Sequence, residues 1–206
     1  MTSKPRLLVA STNPGKLREL SSLLAGLDLE IADLRSLGLA LEVPEEGPDY
    51  ASIARFKAET YARASGLWTL ADDTGLEVDA LGGAPGLRSA RLSGDDVSRR
   101  ARLLDLLAAH PRPWSARFRC AAALAGPQGE VAVGQGTCEG EIIAEERGQH
   151  GFGYDPLFLV AGTGMTMAEL PLPQKNLLSH RARAVHDLMA RLAERPLPGA
   201  PPLLLR

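Results

Sequence analysis

A short apolar run that stops at a helix cap restricts this fold more than any other feature. Arg6-Leu7-Leu8-Val9-Ala10 reads as a buried strand, and Asn13-Pro14-Gly15-Lys16 then opens a helix with Leu17, Leu20, Leu24 and Leu27 on one face. Asn13 is a good N-cap, and Pro14 sits at the first helical position, where its missing N–H leaves no bond unmade. The next segments continue the alternation: a strand over 29–34, an acidic loop holding Glu42, Glu45 and Glu46, and a helix over 49–64 that buries Tyr50, Ala54, Ala58 and Tyr61. A strand over 67–71 ends in Asp72-Asp73-Thr74-Gly75 and leads into a second short strand over 76–81.

Residues 82–86 form a Gly/Pro loop, and a helix starts at Asp95 or Asp96, carries Leu103, Leu104 and Leu107, and stops before Pro111. A hairpin joins strands over 116–125 and 130–141. A Gly-rich loop covers 148–156, a short strand 157–160, and a final helix begins at Ser179 with Ala182, Val185, Met189 and Leu192 at helical spacing. Alternating strands and helices followed by a hairpin predict an α/β protein, a mixed sheet flanked by helices. No repeat and no long linker divides it, so 1–195 reads as one domain of two lobes and 196–206 as a Pro-rich tail.

With 206 residues, 45% of them hydrophobic, the chain can bury one full-sized core and a second lobe. Its 23 Lys+Arg against 25 Asp+Glu, net charge −2, argue against a general electrostatic grip on nucleic acid or anionic membrane. Any polyphosphate it binds must therefore be held by a focused site. The apolar runs at 7–10, 121–125 and 203–205 fall far below the roughly 20 residues of a membrane span. Residues 1–6 carry charge with no apolar signal core behind them, which points to the cytoplasm. Cys120 and Cys138 flank the hairpin near Pro127-Gln128-Gly129; a two-residue turn there places them on opposite faces, and core packing suits both.

Four segments carry chemistry. Ser11, Thr12, Asn13, Pro14, Gly15 and Lys16 join a strand end to a helix start and gather backbone N–H groups, a positive dipole end and an ammonium, which makes an anion site or a plain cap with a solvated lysine. Asp72 and Asp73 close an apolar strand, where ligands bind in α/β sheets; alternation turns one of the two to a site, and a turn stabilised by its own Asp side chains is the other reading. Glu45 or Glu46 could add a hard oxygen for Mg²⁺. Gly151-Phe152-Gly153-Tyr154-Asp155-Pro156 offers a ring that could stack on a base or pin the loop into the core. Lys175 precedes Ser179-His180-Arg181, which sets cations in a first helical turn, where the dipole disfavours them unless an acceptor-rich ligand offsets the potential.

In that order, with Ala71-Asp72-Asp73-Thr74-Gly75-Leu76-Glu77-Val78-Asp79-Ala80-Leu81, Pro85-Gly86 and Ser89-Ala90-Arg91, these segments resemble the noncanonical purine nucleoside triphosphate pyrophosphatases, the inosine/xanthosine triphosphatase (dITP/XTP diphosphatase) family. The resemblance implies an elongated α/β structure with a long mixed sheet and a substrate cleft between two lobes. It also implies a homodimer, a Mg²⁺ cofactor and hydrolysis of ITP, dITP or XTP to monophosphate and pyrophosphate.

By the same resemblance, residues 11–16 hold the triphosphate and Lys57 adds a catalytic phosphate contact. Asp73 activates water and binds metal with Glu45, Asp72 supports it, and Thr74 touches substrate. Phe152, Gly153, Tyr154, Asp155, Lys175, His180 and Arg181 surround the base. Three positions depart from the commoner bacterial pattern: Ile53 in place of asparagine, Arg88 in place of tyrosine, and Pro48-Asp49 where a hydroxyl residue is usual.

The physical case runs alongside. Lysines, helix-end N–H groups and Mg²⁺ offset developing oxygen charge in phosphoryl transfer while a carboxylate handles the water. A 6-oxo purine accepts from donors that adenine's amino group would leave unpaired. A kinase-like site is disfavoured because no Walker or kinase signature is present. A septum-formation-like pyrophosphatase acting on other modified nucleotides and a non-catalytic nucleotide-binding protein are the alternatives.

Overall fold

A computed structural model gives the structure of residues 4–202; the readings made above for 1–3 and 203–205 lie outside the described residues. The chain runs β1 (Arg6–Val9), α1 (Pro14–Leu24), β2 (Glu30–Asp33), α2 (Tyr50–Ser65), β3 (Trp68–Val78), β4 (Pro85–Gly86), α3 (Asp96–Leu107), β5 (Trp114–Ala125), β6 (Val131–Ile142), β7 (Phe158–Val160), α4 (Leu172–Leu178) and α5 (His180–Glu194). Strand order is β2-β1-β3-β5-β6-β7, with β4 on β3; β1 pairs in parallel with β2 and β3, whereas β3–β4 and β6–β7 are antiparallel. The mixed α/β class is as expected.

Three local outcomes differ from the sequence reading. The two strands expected on either side of Asp72-Asp73-Thr74-Gly75 are one strand, β3, of 11 residues. Nearly every side chain along it is buried or half-buried, so neighbours on both faces hold these polar residues extended where local propensity favours a turn. Asp72 and Asp73 therefore lie inside a strand and not at its end. The hairpin turn is also longer than two residues: Gly126 N–H donates to the Glu130 carbonyl at 2.8 Å. That register removes the opposite-face argument for the cysteines, which are free buried thiols in different hydrophobic clusters. Finally, the sequence reading places no helix between residue 160 and Ser179, whereas α4 stands there with Pro173 in its first turn, where proline is tolerated.

The chain divides into two compact units. One comprises Met1–Asp73, Cys120–Gly136 and Arg181–Arg206; the other Thr74–Arg119 and Thr137–His180. In the first, alternation along β1 and β5 builds two layers. Leu7, Val9, Cys120, Ala122 and Leu124 cluster with Leu20 and Leu24 of α1 and with Val185, Leu188 and Leu192 of α5. Leu8, Ala10, Ala121, Ala123 and Ala125 cluster with Ala54, Ala58, Tyr61 and Ala62 of α2. The alanines on both sides of that second layer let helix and sheet approach closely, and one added methylene there would cost about 1–3 kcal/mol. Leu197 packs against the first layer and Pro201 is buried, which docks the start of the Pro-rich tail.

The second unit has its own core. Leu76, Val78, Trp114, Ala116, Phe118 and Ile142 pack with Leu103 and Leu107 of α3 and with Tyr154, Leu157 and Phe158. Among the described residues, no helix is long and apolar enough to cross a membrane.

Candidate active site

Asp72 and Asp73 leave opposite faces of β3, and the first unit treats them differently. Asp72 is wholly buried and surrounded by cations: its carboxylate lies 3.1 Å from Lys16 Nζ and 3.1 Å from Arg181 Nε, and its backbone carbonyl accepts from Lys57 Nζ at 3.3 Å. Burial alone would raise its pKa, but Lys16, Arg181 and Lys57 together outweigh it and hold the carboxyl well below the usual range. Asp73 keeps 8% of its surface. Burial pushes it up to about 6, with Asp72 and Glu45 adding to the rise against Lys16 and Lys57. One carboxylate is thus locked ionised, while its neighbour titrates near neutrality, where a general base works best.

The loop after β1 behaves as a cap. Asn13 Oδ1 accepts from Gly15 N–H at 2.8 Å and Lys16 N–H at 3.1 Å, and Asn13 N–H donates to Ser11 Oγ at 3.2 Å. The amides expected to stand open to an anion are therefore bonded to Asn13. Ser11 and Gly15 are buried, Thr12, Asn13 and Pro14 exposed, and Lys16 reaches Asp72.

Lys57 comes from the buried face of α2 and pairs with Glu45 Oε1 at 2.5 Å. Burial would lower its pKa, but the opposing pull of Asp72 and Glu45 raises it, so the ammonium stays charged. Between the two candidate acids of the loop, Glu45 is the one placed on Lys57; Glu46 is exposed. The departures near this loop now have physical roles. Asp49 caps α2 by accepting Ser52 N–H at 2.7 Å, and Ile53 is buried beneath Gly47, where a Cβ would come within 2.9 Å of Ile53 Cγ1. Nothing in the structure explains Arg88.

Arg181 has a structural partner set that the sequence did not disclose. Its guanidinium is 1% exposed and also donates to Glu19 of α1, so the first-turn cation that seemed misplaced joins α5 to α1 and β3 through two carboxylates. Glu19 was missed because nothing near it in sequence marks it; the one signal is its place on the buried side of α1 beside Gly15 and Leu20.

The remaining candidates belong to the second unit. Asp155 Oδ2 accepts from Lys175 Nζ at 2.6 Å and from Phe152 N–H at 2.9 Å, and Lys175 Nζ stands 5.4 Å from the centre of the half-buried Phe152 ring. A side chain at Gly151 (φ 79°) would collide with Asp155, so this close approach requires glycine. Tyr154 is turned into the core: its hydroxyl donates to the Ser89 carbonyl at 2.8 Å, and burial raises its pKa to about 12. Ser89 in turn accepts from Leu76 N–H at 2.8 Å, which makes the Ser-Ala-Arg block part of the framework. His180 is buried and stacks on Phe118 at 4.6 Å. Thr74 follows Asp73 in β3 and is half-buried.

Among the described residues, no group of three or more His, Cys, Asp or Glu is gathered to hold a metal. Mg²⁺ does not need one, since it is usually held by one or two carboxylates, substrate phosphate oxygens and water. The donor set fits: Asp73 and Glu45 are hard carboxylate oxygens that keep some exposure, Asp73 8% and Glu45 half-buried, and burial holds the Asp73 carboxylate at a cost that a bound dication would offset.

A mixed α/β framework carrying a near-neutral acid among lysines defines a class of protein suited to handling polyphosphate. The chain belongs to the Ham1 family, which it matches over residues 7–191. A dITP/XTP pyrophosphatase of Desulforamulus reducens is 44% identical over 188 residues, 89% of this chain and 94% of that one. One of Geobacter sulfurreducens is 46% identical over 184 residues, 87% and 92%. Among solved structures, a HAM1 protein from Coxiella burnetii superposes with a TM-score of 0.80 at 36% identity, covering 92% of this chain and 99% of that one. The nucleoside-triphosphatase / dITP/XTP pyrophosphatase of Mycobacterium abscessus gives 0.70 at 40% identity, covering 93% and 100%.

Proposed function

We propose that this chain is a nucleoside triphosphate pyrophosphatase that hydrolyses noncanonical purine nucleotides, ITP, dITP and XTP, to the monophosphate and pyrophosphate, cleansing the nucleotide pool of the cytoplasm. The observation that carries the reading is the placing of Asp73, an acid brought to about 6, near the charged lysines 16 and 57, in a chain whose relatives are named dITP/XTP pyrophosphatases. Asp73 as carboxylate accepts a proton from water; the oxygen attacks the α-phosphorus, the bond to the bridging oxygen breaks, and pyrophosphate leaves. Lys16 and Lys57 exchange their internal carboxylates for phosphate oxygens, with the 11–15 loop alongside. Asp73 and Glu45 would hold Mg²⁺, which supplies Lewis-acid stabilisation of the phosphate oxygens.

For the base, Phe152 supplies the stacking face, and Lys175, His180 and Arg181 the donors for the 6-oxo edge. Arg181 is held by Asp72 and Glu19, and Tyr154 anchors the loop. Pyrophosphate release, followed with inorganic pyrophosphatase as coupling enzyme, is expected to be much faster from ITP, dITP and XTP than from ATP. Orthophosphate appearing without the coupling enzyme would defeat the assignment of the bond cleaved. Magnesium titration in calorimetry with a non-hydrolysable ITP analogue should show binding that Asp73→Asn abolishes.

A further inference from the structure

Helix α3 grips the Gly-rich loop by both polar ends of one residue. Gly153 N–H donates to Asp96 Oδ2 at 2.8 Å, and the Gly153 carbonyl accepts from Arg100 Nη1 at 3.0 Å. Asp96 and Arg100 are one turn apart, on the same face of α3. Each is braced: Asp96 Oδ1 pairs with Arg99 at 2.7 Å, and Arg100 Nε with Glu146 Oε1 at 2.8 Å. Asp96 is not needed to cap α3, because Asp95 does that by accepting Ser98 N–H at 2.9 Å.

Gly153 has φ 61°, a left-handed conformation in a residue without a Cβ, and it separates Phe152 from the core-anchored Tyr154. A glycine there has wide backbone freedom, which the bonds around it have to restrict. The Phe152–Gly153 peptide plane is held at both ends, by Asp155 N–H on the Phe152 carbonyl at 3.2 Å and by Asp96 on the Gly153 N–H, and the Gly153–Tyr154 plane by Arg100; of these, the bonds to charged side chains are the stronger kind.

We infer that Asp96 and Arg100 are positioning residues for base recognition: by fixing both peptide planes of Gly153 they set the direction in which the Phe152 ring meets a purine. The inference rests on the reading of Phe152 as the stacking face.

The test is steady-state kinetics of the full chain on ITP, with inhibition by inorganic tripolyphosphate as a base-free probe. Asp96→Ala and Arg100→Ala should each raise KM for ITP about tenfold while kcat stays within about twofold, the signature of lost binding common to ground and transition states. Tripolyphosphate inhibition should be unchanged, which damage to the framework at large would not allow. Asp96→Asn keeps an acceptor oxygen for Gly153 N–H and should restore KM to within about threefold. Where an alanine variant fails to fold, Arg100→Lys decides, since lysine lacks the planar fork whose Nε and Nη1 serve Glu146 and Gly153 separately, and KM should rise at a retained melting temperature. Unchanged KM in these variants, with a raised KM in Phe152→Ala, overturns the inference alone. Unchanged KM in Phe152→Ala as well removes the stacking reading and the inference with it.

Discussion

Neighbouring residues Asp72 and Asp73 have opposite linkages to pH. Asp72, lowered by its cations, contributes stability that is complete above the unfolded value of 3.8 and is lost as pH falls below it. Asp73 is raised from 3.8 to about 6, so across that window the folded state holds a proton that the unfolded chain has released, and stability declines as pH rises. Two outcomes follow. The kcat/KM for ITP should fall tenfold per unit as pH drops below about 6. Asp73→Asn should abolish turnover yet melt higher than wild type at pH 8, by a gain on the order of 2–3 kcal/mol that vanishes below pH ~4; a mutant less stable at pH 8 would contradict the charge balance. Arg181 is the other pivotal residue. Arg181→Ala leaves Asp72 and Glu19 buried without their shared cation, which should cost roughly 3–5 kcal/mol in urea unfolding. It should also reduce kcat/KM for ITP more than for ATP, and equal losses would confine Arg181 to the framework.

Elements are held here by close backbone approaches as well as by apolar layers. A Cβ on Gly134 of β6 would run into the Leu188 amide and the Ala184 carbonyl of α5, while the neighbouring Gln135 N–H donates to Asp187 Oδ2 at 2.8 Å. Gly134→Ala therefore has to push helix from sheet and should lower the unfolding free energy by upwards of about 2 kcal/mol, with chemical denaturation as the measure. Such contacts mark what a linear reading reaches. The β1–α1 unit with its Asn13 cap, the start of α3 at Asp95 or Asp96 and the hairpin strands were legible because periodicity and capping are local. The candidate acids, lysines and aromatic loop were legible as short motifs. β3 was broken in two because four turn-forming residues outweighed, on paper, the neighbours that keep them extended. Glu19, Asp96 and Arg100 were invisible because the groups that give them meaning lie 162, 57 and 53 positions away along the chain.

Across the whole molecule, the small net charge and the two self-contained cores leave function to a few side chains. Light scattering should give twice the 21.9 kDa chain mass if the homodimer implied by the resemblance forms; a monomer at micromolar concentration would end that proposal. The lysine pairings have a kinetic consequence. With Lys16 on Asp72 and Lys57 on Glu45, the protein screens its own cations and projects little field into solution. Under the proposed function a polyphosphate is not drawn in from afar; it would have to evict an internal counter-ion on arrival, and only a molecule that also satisfied the base contacts would recover that loss. Capture should therefore depend weakly on ionic strength, and the abundant phosphates of a cell should be poor competitors, so that a rare nucleotide can be picked out of a crowd of anions that resemble it in charge.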